Sequence, residues 1–180
     1  MEANVDYIRD YTMYAAIFGI FSFNWFGWAQ ERPRQSWRLY LGIASGIALL
    51  VGLIGVYLSI KNWHEASALA DSGAFKDYLI YVYTEFFVAG VGAFLLIKFK
   101  HKDYIAPWIA FIVGVHFFAL VDVFQDSSLN ILASVLIIVA AASIFLSKKL
   151  NVANSAITGI GAGTILFCFA VLGLVRFLMV

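Results

Sequence analysis

The chain has 180 residues, of which 63% are hydrophobic and 13% charged, and its formal net charge is +1. Ordinary globular chains are roughly 45–50% apolar and about 25% charged, and a fold this small leaves much of its surface exposed. The composition therefore excludes a water-soluble domain, and so small a net charge gives no support to nucleic-acid binding. The single Cys168 rules out an intrachain disulfide and any multi-cysteine metal site.

The first ten residues, MEANVDYIRD, are acidic and polar and lack the basic start of a signal peptide. Neither end carries a lipidation motif. Six segments then follow, each long enough to cross ~30 Å of hydrocarbon as a helix of about 20 residues. They run approximately over residues 11–29, 39–60, 78–99, 104–124, 129–146 and 156–178. Backbone groups in lipid must be satisfied internally, so runs of this length read as helices. The expected fold is all-α, a polytopic transmembrane bundle of six helices in one domain over residues 1–180. Short connections make successive helices antiparallel neighbours.

Lys and Arg alternate between the loops. Arg32, Arg34 and Arg38, then Lys98, Lys100 and Lys102, then Lys148 and Lys149 occupy alternate connections, while Arg9, Lys61, Lys76 and Arg176 lie on the other side. Positive loops face the cytoplasm. Both termini are therefore expected outside a cell (cytoplasmic or inner) membrane, beside the acidic residues Glu2, Asp6, Asp10, Glu65, Asp71, Asp77, Asp122 and Asp126. In the long outer connection after the second span, Asn62 and Glu65 have the spacing of a capping box. Gly73 is placed to end the short helix they would start. Arg176 is expected to snorkel to headgroups, or to pair with Asp122 or Asp126.

Ionisable residues inside a bilayer are costly and usually face the bundle interior. Glu85 lies in YVYTEFFVAGVG and His116 in IVGVHFFAL, each about eight residues from the outer end of its span. At 1.5 Å rise per residue that is ~12 Å of depth. The two spans are antiparallel neighbours, so the side chains are placed to meet. Tyr78, Tyr81, Val82, Ala89 and Gly92 share the helical face of Glu85. This face reads as a ligand- or proton-binding site, or alternatively as a polar clasp that fixes packing. Asn24, deep in the first span, offers an amide for an interhelical hydrogen bond or a pocket wall. Gly42 with Gly46, and Gly159 with Gly163, form GxxxG pairs suited to close helix packing. No histidine–carboxylate cluster has metal-ligand spacing, no serine sits in a nucleophile elbow, and no cofactor motif is present.

The stretch YIAPWIAFIVGVHFFALVDVF opens on Pro107–Trp108 and carries Gly114, His116 and Phe117, with Glu85 upstream. It resembles a pattern in a family of small, uncharacterised bacterial six-helix membrane proteins, a resemblance that implies no activity. Size and helix number also resemble the substrate-binding components of energy-coupling vitamin transporters. Those imply cytoplasmic termini, which the charge pattern here opposes.

The leading expectation is an integral membrane protein that binds or carries a small molecule, lipid or proton at Glu85, His116, Tyr78, Tyr81 and Asn24. A second is a non-enzymatic scaffold or immunity-type protein, working as a homodimer or with a protein partner through its GxxxG faces. A third is an intramembrane lipid-modifying enzyme using His116 as acid and base. The absence of catalytic motifs weighs against an enzyme.

Overall fold

A computed structural model of the chain describes residues 7–180. Glu2 and Asp6 of the acidic outer group lie outside the described residues. Among those described there are six α-helices and no strands. They are α1 (Ile8–Trp28), α2 (Arg38–Lys61), α3 (Ser72–Lys98), α4 (Ile105–Phe124), α5 (Leu129–Leu150) and α6 (Asn154–Met179), with single helical turns at Gln35–Trp37, Ala68–Ala70 and Lys102–Tyr104. Five of the six, α2 to α6, are long and apolar enough to cross a membrane.

The exception, α1, has 21 residues, about 31 Å at 1.5 Å per residue, so length is not what sets it apart. Its composition is aromatic and small rather than aliphatic, and Thr12, Ser22 and Asn24 interrupt it. Burial explains this. Helix α1 packs closely on both α2 and α6, and Tyr14, Ala15, Ala16, Phe18, Trp25 and Phe26 are all buried. A helix shielded by protein does not need the aliphatic surface that lipid demands.

Small residues set those contacts. A Cβ on Gly55 would lie 2.2 Å from the Ala16 nitrogen, and one on Gly19 would lie 2.6 Å from the Gly52 Cα, so α1 and α2 touch backbone to backbone. On the opposite side of α1, a Cβ on Gly159 would meet the Trp25 carbonyl at 2.5 Å, and one on Gly163 would meet the Phe26 ring at 2.8 Å. The GxxxG pair of α6 is thus an intrachain packing surface. The pair in α2 is not: Gly42 and Gly46 are exposed, and a Cβ at either position would have nothing within 4 Å. In α2 the packing is carried instead by Ser45, Ala48, Gly52, Gly55 and Ser59, all buried on the face turned to α1.

The two ends of the bundle are stitched by polar contacts. At one end Arg9 N–H donates to the Ala66 carbonyl at 3.2 Å, and Arg176 Nη1 lies 2.5 Å from Asp126 Oδ2. Of the two expected roles for Arg176, the structure shows the ion pair. At the other end Ala153 N–H donates to the Arg32 carbonyl at 3.1 Å, Asn154 Nδ2 donates to the Asp103 carbonyl at 2.9 Å, and Ser155 Oγ donates to Glu31 Oε2 at 2.6 Å. Ser147 adds a hydrogen bond to Asn154.

The connection after α2 differs from the capping-box expectation. Asn62 ends α2 rather than starting a helix, and its side-chain amide donates back to the Leu58 carbonyl at 2.8 Å. Gly73 is inside α3, where Asp71 caps the helix by accepting from the N–H groups of Gly73 and Ala74. Helix α3 therefore begins six residues earlier than the expected span, at Ser72.

Candidate functional site

Helix α3 is the outlier of the packing. No residue of its 27 is buried. It packs along α4, with minor contacts from the single turns at Ala68–Ala70 and Lys102–Tyr104, and makes no sustained contact with α1. The docking on α4 is close at one point: a Cβ on Gly92 would fall 2.1 Å from Trp108 Nε1. That indole N–H donates to the Ala89 carbonyl at 3.3 Å. Further out, the Tyr78 ring meets Phe124 edge-on at 6.0 Å between centroids.

Because α3 stands off from α1, a groove of about 830 Å³ opens between them, floored by α4. Pockets for small organic ligands typically span ≈ 300–1,000 Å³. The α1 wall is Tyr14, Ile17, Phe18, Phe21, Trp25 and Trp28, and α4 contributes Phe117, Leu120 and Phe124. Rings in this wall interlock. Phe18 lies edge-on to Phe117 at 5.6 Å, and Trp25 stacks on Trp28 at 5.4 Å. Such offset contacts hold the wall in one shape.

Glu85 and His116 meet in this groove. Glu85 Oε2 lies 3.4 Å from His116 Nε2, with side-chain exposures of 17% and 8%. At that separation the contact is an ion pair or a loose polar contact rather than a full hydrogen bond. The main chain of Tyr81 lies beside the imidazole. Among the described residues no hydroxyl or amide donates to the Glu85 carboxylate. The couple is thus largely desolvated, is only partly satisfied by the protein, and borders the groove.

The other expected site residues divide. Tyr78 lines the groove with Glu85. Tyr81 does not line it; the residue is 36% exposed, and only its main chain approaches the couple. Asn24 lines the inner part of the groove, but its amide donates to the Ile20 carbonyl at 3.0 Å within α1, so the expected interhelical bond is absent from the described contacts. The interhelical bonds of α1 come from elsewhere. The Phe23 carbonyl accepts from Ser45 Oγ at 3.2 Å, and Ser22 Oγ donates to the Gly163 carbonyl at 2.7 Å.

The rim of the groove at the start of α1 is built by the connection after α2. Asp10 is 5% exposed and accepts from Ser67 Oγ at 2.6 Å and from the Ala68 N–H at 2.7 Å. This ties the connecting segment across the start of α1. Arg9 donates to the Trp63 carbonyl at 3.2 Å and lies over the Trp63 ring at 5.3 Å. Trp63, Ser67 and Leu69 roof the groove as a result. Beyond the helix ends, burial works against the Asp126 charge, but the Arg176 guanidinium and the hydroxyl and N–H of Ser128 outweigh it and hold the pKa below its ordinary 3.8. Among the described residues no three His, Cys, Asp or Glu side chains are grouped to hold a metal ion.

No family model, curated protein or solved structure matches the chain.

Proposed function

We propose that this is a six-span protein of the cell membrane, with both termini extracytoplasmic, that binds an apolar small molecule or lipid in the groove between α1 and α3. The observation that carries the reading is the Glu85–His116 couple, two ionisable side chains 3.4 Å apart on the wall of an aromatic cavity of about 830 Å³. Burying such groups in a bilayer is costly, and they are found where they serve a pathway or a ligand. A purely structural clasp would be expected to close the hydrogen bond and exclude space around it. Here the bond is long and the space is open.

The peripheral seat of α3 supports lateral entry. A ligand dissolved in the bilayer reaches the groove between two helices without crossing water. The first span, α1, is less apolar than the others because α2 and α6 cover two of its sides, and the distribution of Lys and Arg supports the orientation.

Native mass spectrometry of protein released from mild detergent tests this reading, with Glu85→Gln as the comparison. A discrete adduct on the wild type, weakened in a variant that keeps the wild-type unfolding profile, is the expected result. Bare protein in both cases overturns it and leaves the couple as a packing clasp.

A further inference from the structure

The polar inventory of the groove restricts what its ligand carries, an inference that rests on the binding reading above. At the outer rim, where a phospholipid headgroup would lie, the charged side chains Asp10 and Arg9 already have partners. The Asp10 carboxylate accepts from Ser67 and Ala68, and Arg9 is held against the carbonyl and ring of Trp63. The groove's incompletely satisfied ionisable couple, Glu85 and His116, is deeper. Glu85 is the fourteenth of the 27 residues of α3, halfway along the helix.

A ligand group that meets the couple there must be neutral, because carrying a charge to the bilayer centre costs several kcal/mol on most scales. It must also serve two partners. The couple offers an imidazole nitrogen beside a carboxyl group, with a second carboxyl oxygen to spare. A carbonyl can only accept, and an ammonium can only donate, whereas a hydroxyl does both. A hydroxyl therefore satisfies the pair whichever partner holds the proton. The rest of the ligand is apolar, since the surrounding wall is Phe18, Phe117 and their neighbours. The groove of about 830 Å³ has room for a ligand of this kind.

We propose that the ligand is a neutral lipid alcohol, a single hydroxyl on an apolar body, with the hydroxyl seated between Glu85 and His116 near the middle of the bilayer.

The test compares a hydroxyl with its own methyl ether, which keeps the body and removes the donor. The full chain is placed in phosphatidylcholine nanodiscs and titrated with geranylgeraniol, with geranylgeranyl methyl ether, and with phosphatidylglycerol. Binding is read from tryptophan fluorescence, because Trp25 and Trp28 line the groove. Geranylgeraniol should bind about tenfold more tightly than the ether, the ratio expected for one good hydrogen bond. Glu85→Leu should reduce that ratio towards one while ether binding persists. Cholesterol or dioleoylglycerol preferred over its own methyl ether would equally support a hydroxyl ligand and would name a different body. Equal binding of alcohol and ether by the wild type overturns the hydroxyl assignment and leaves the groove reading standing. Displacement of the alcohol by phosphatidylglycerol at lower concentration also overturns it, in favour of an anionic headgroup. Saturable binding of none of the probes overturns both readings.

Discussion

Replacing Gly92 with Ala should loosen α3 without unfolding the bundle. The added Cβ would sit 2.1 Å from Trp108 Nε1 and 2.2 Å from the neighbouring ring carbon, so the indole must move. Overpacking of this kind costs about 1–3 kcal/mol. Moving the indole also gives up its hydrogen bond to the Ala89 carbonyl, worth ~1 kcal/mol. The docking of α3 on α4 should therefore weaken by about 2–4 kcal/mol, a shift of more than tenfold in its equilibrium. Because no residue of α3 is buried, the loss stays local. Spin labels on Leu53 of α2 and Tyr83 of α3, both exposed, report the separation by pulsed electron resonance in a Cys168→Ser background. A broadened and displaced distance distribution in Gly92→Ala is the expected outcome. A distribution as narrow as that of the parent would refute the reading that the close seat on Trp108 helps to hold α3 in place.

Two glycine substitutions should separate sharply. Gly159→Leu drives a side chain into the Trp25 carbonyl and should abolish a monodisperse peak on size exclusion, whereas Gly42→Leu meets open space and should elute as the parent does. The Arg176–Asp126 pair makes a pH prediction. Asp126 is held below its ordinary pKa of 3.8, so its contribution is complete above that value and is lost as pH falls through the lower folded value. Asp126→Asn should therefore cost on the order of 2 kcal/mol near neutral pH, and equilibrium unfolding should show the gap closing below about pH 4. Asn24→Ala removes only a bond within α1 and should shift the unfolding midpoint little, so a large loss would reveal a partner for Asn24 across the groove. A C-terminal alkaline phosphatase fusion should be active and a green fluorescent protein fusion dark if the termini are extracytoplasmic.

The helices were legible in the sequence because lipid imposes a coarse rule, about 20 apolar residues per span, and five helices obey it. The boundary errors have local causes. Helix α3 extends outward to Ser72 because Asp71 caps it, and polar first-turn residues do not register in a hydropathy window. Helix α1 has weaker hydropathy because α2 and α6 cover two of its sides.

The meeting of Glu85 and His116 was readable from equal depth on antiparallel neighbours. The groove was not. It depends on the gap between α1 and α3, and nothing in a single sequence states that two helices fail to touch. A signal was nonetheless present in the spacing of Tyr14, Phe18, Phe21, Trp25 and Trp28, which puts five aromatics along one face of α1. The GxxxG pair of α2 lies off the face packed within the chain, because the motif does not say which face is covered. The run Ser45, Ala48, Gly52, Gly55, Ser59 marked the packed face with equal clarity. The tie from Asp10 to Ser67 leaves no local pattern because it spans 57 residues between a helix start and a loop.

The most direct test of ligand binding places a photoreactive benzoylphenylalanine at Phe21, on the groove wall, or at Phe145, which is 74% exposed and lies outside the groove. Each variant is irradiated in native membranes and its adduct masses are read. One discrete adduct at position 21, against the mixed bulk phospholipids at position 145, is what a ligand-binding groove predicts. The same phospholipid mixture at both positions would contradict it.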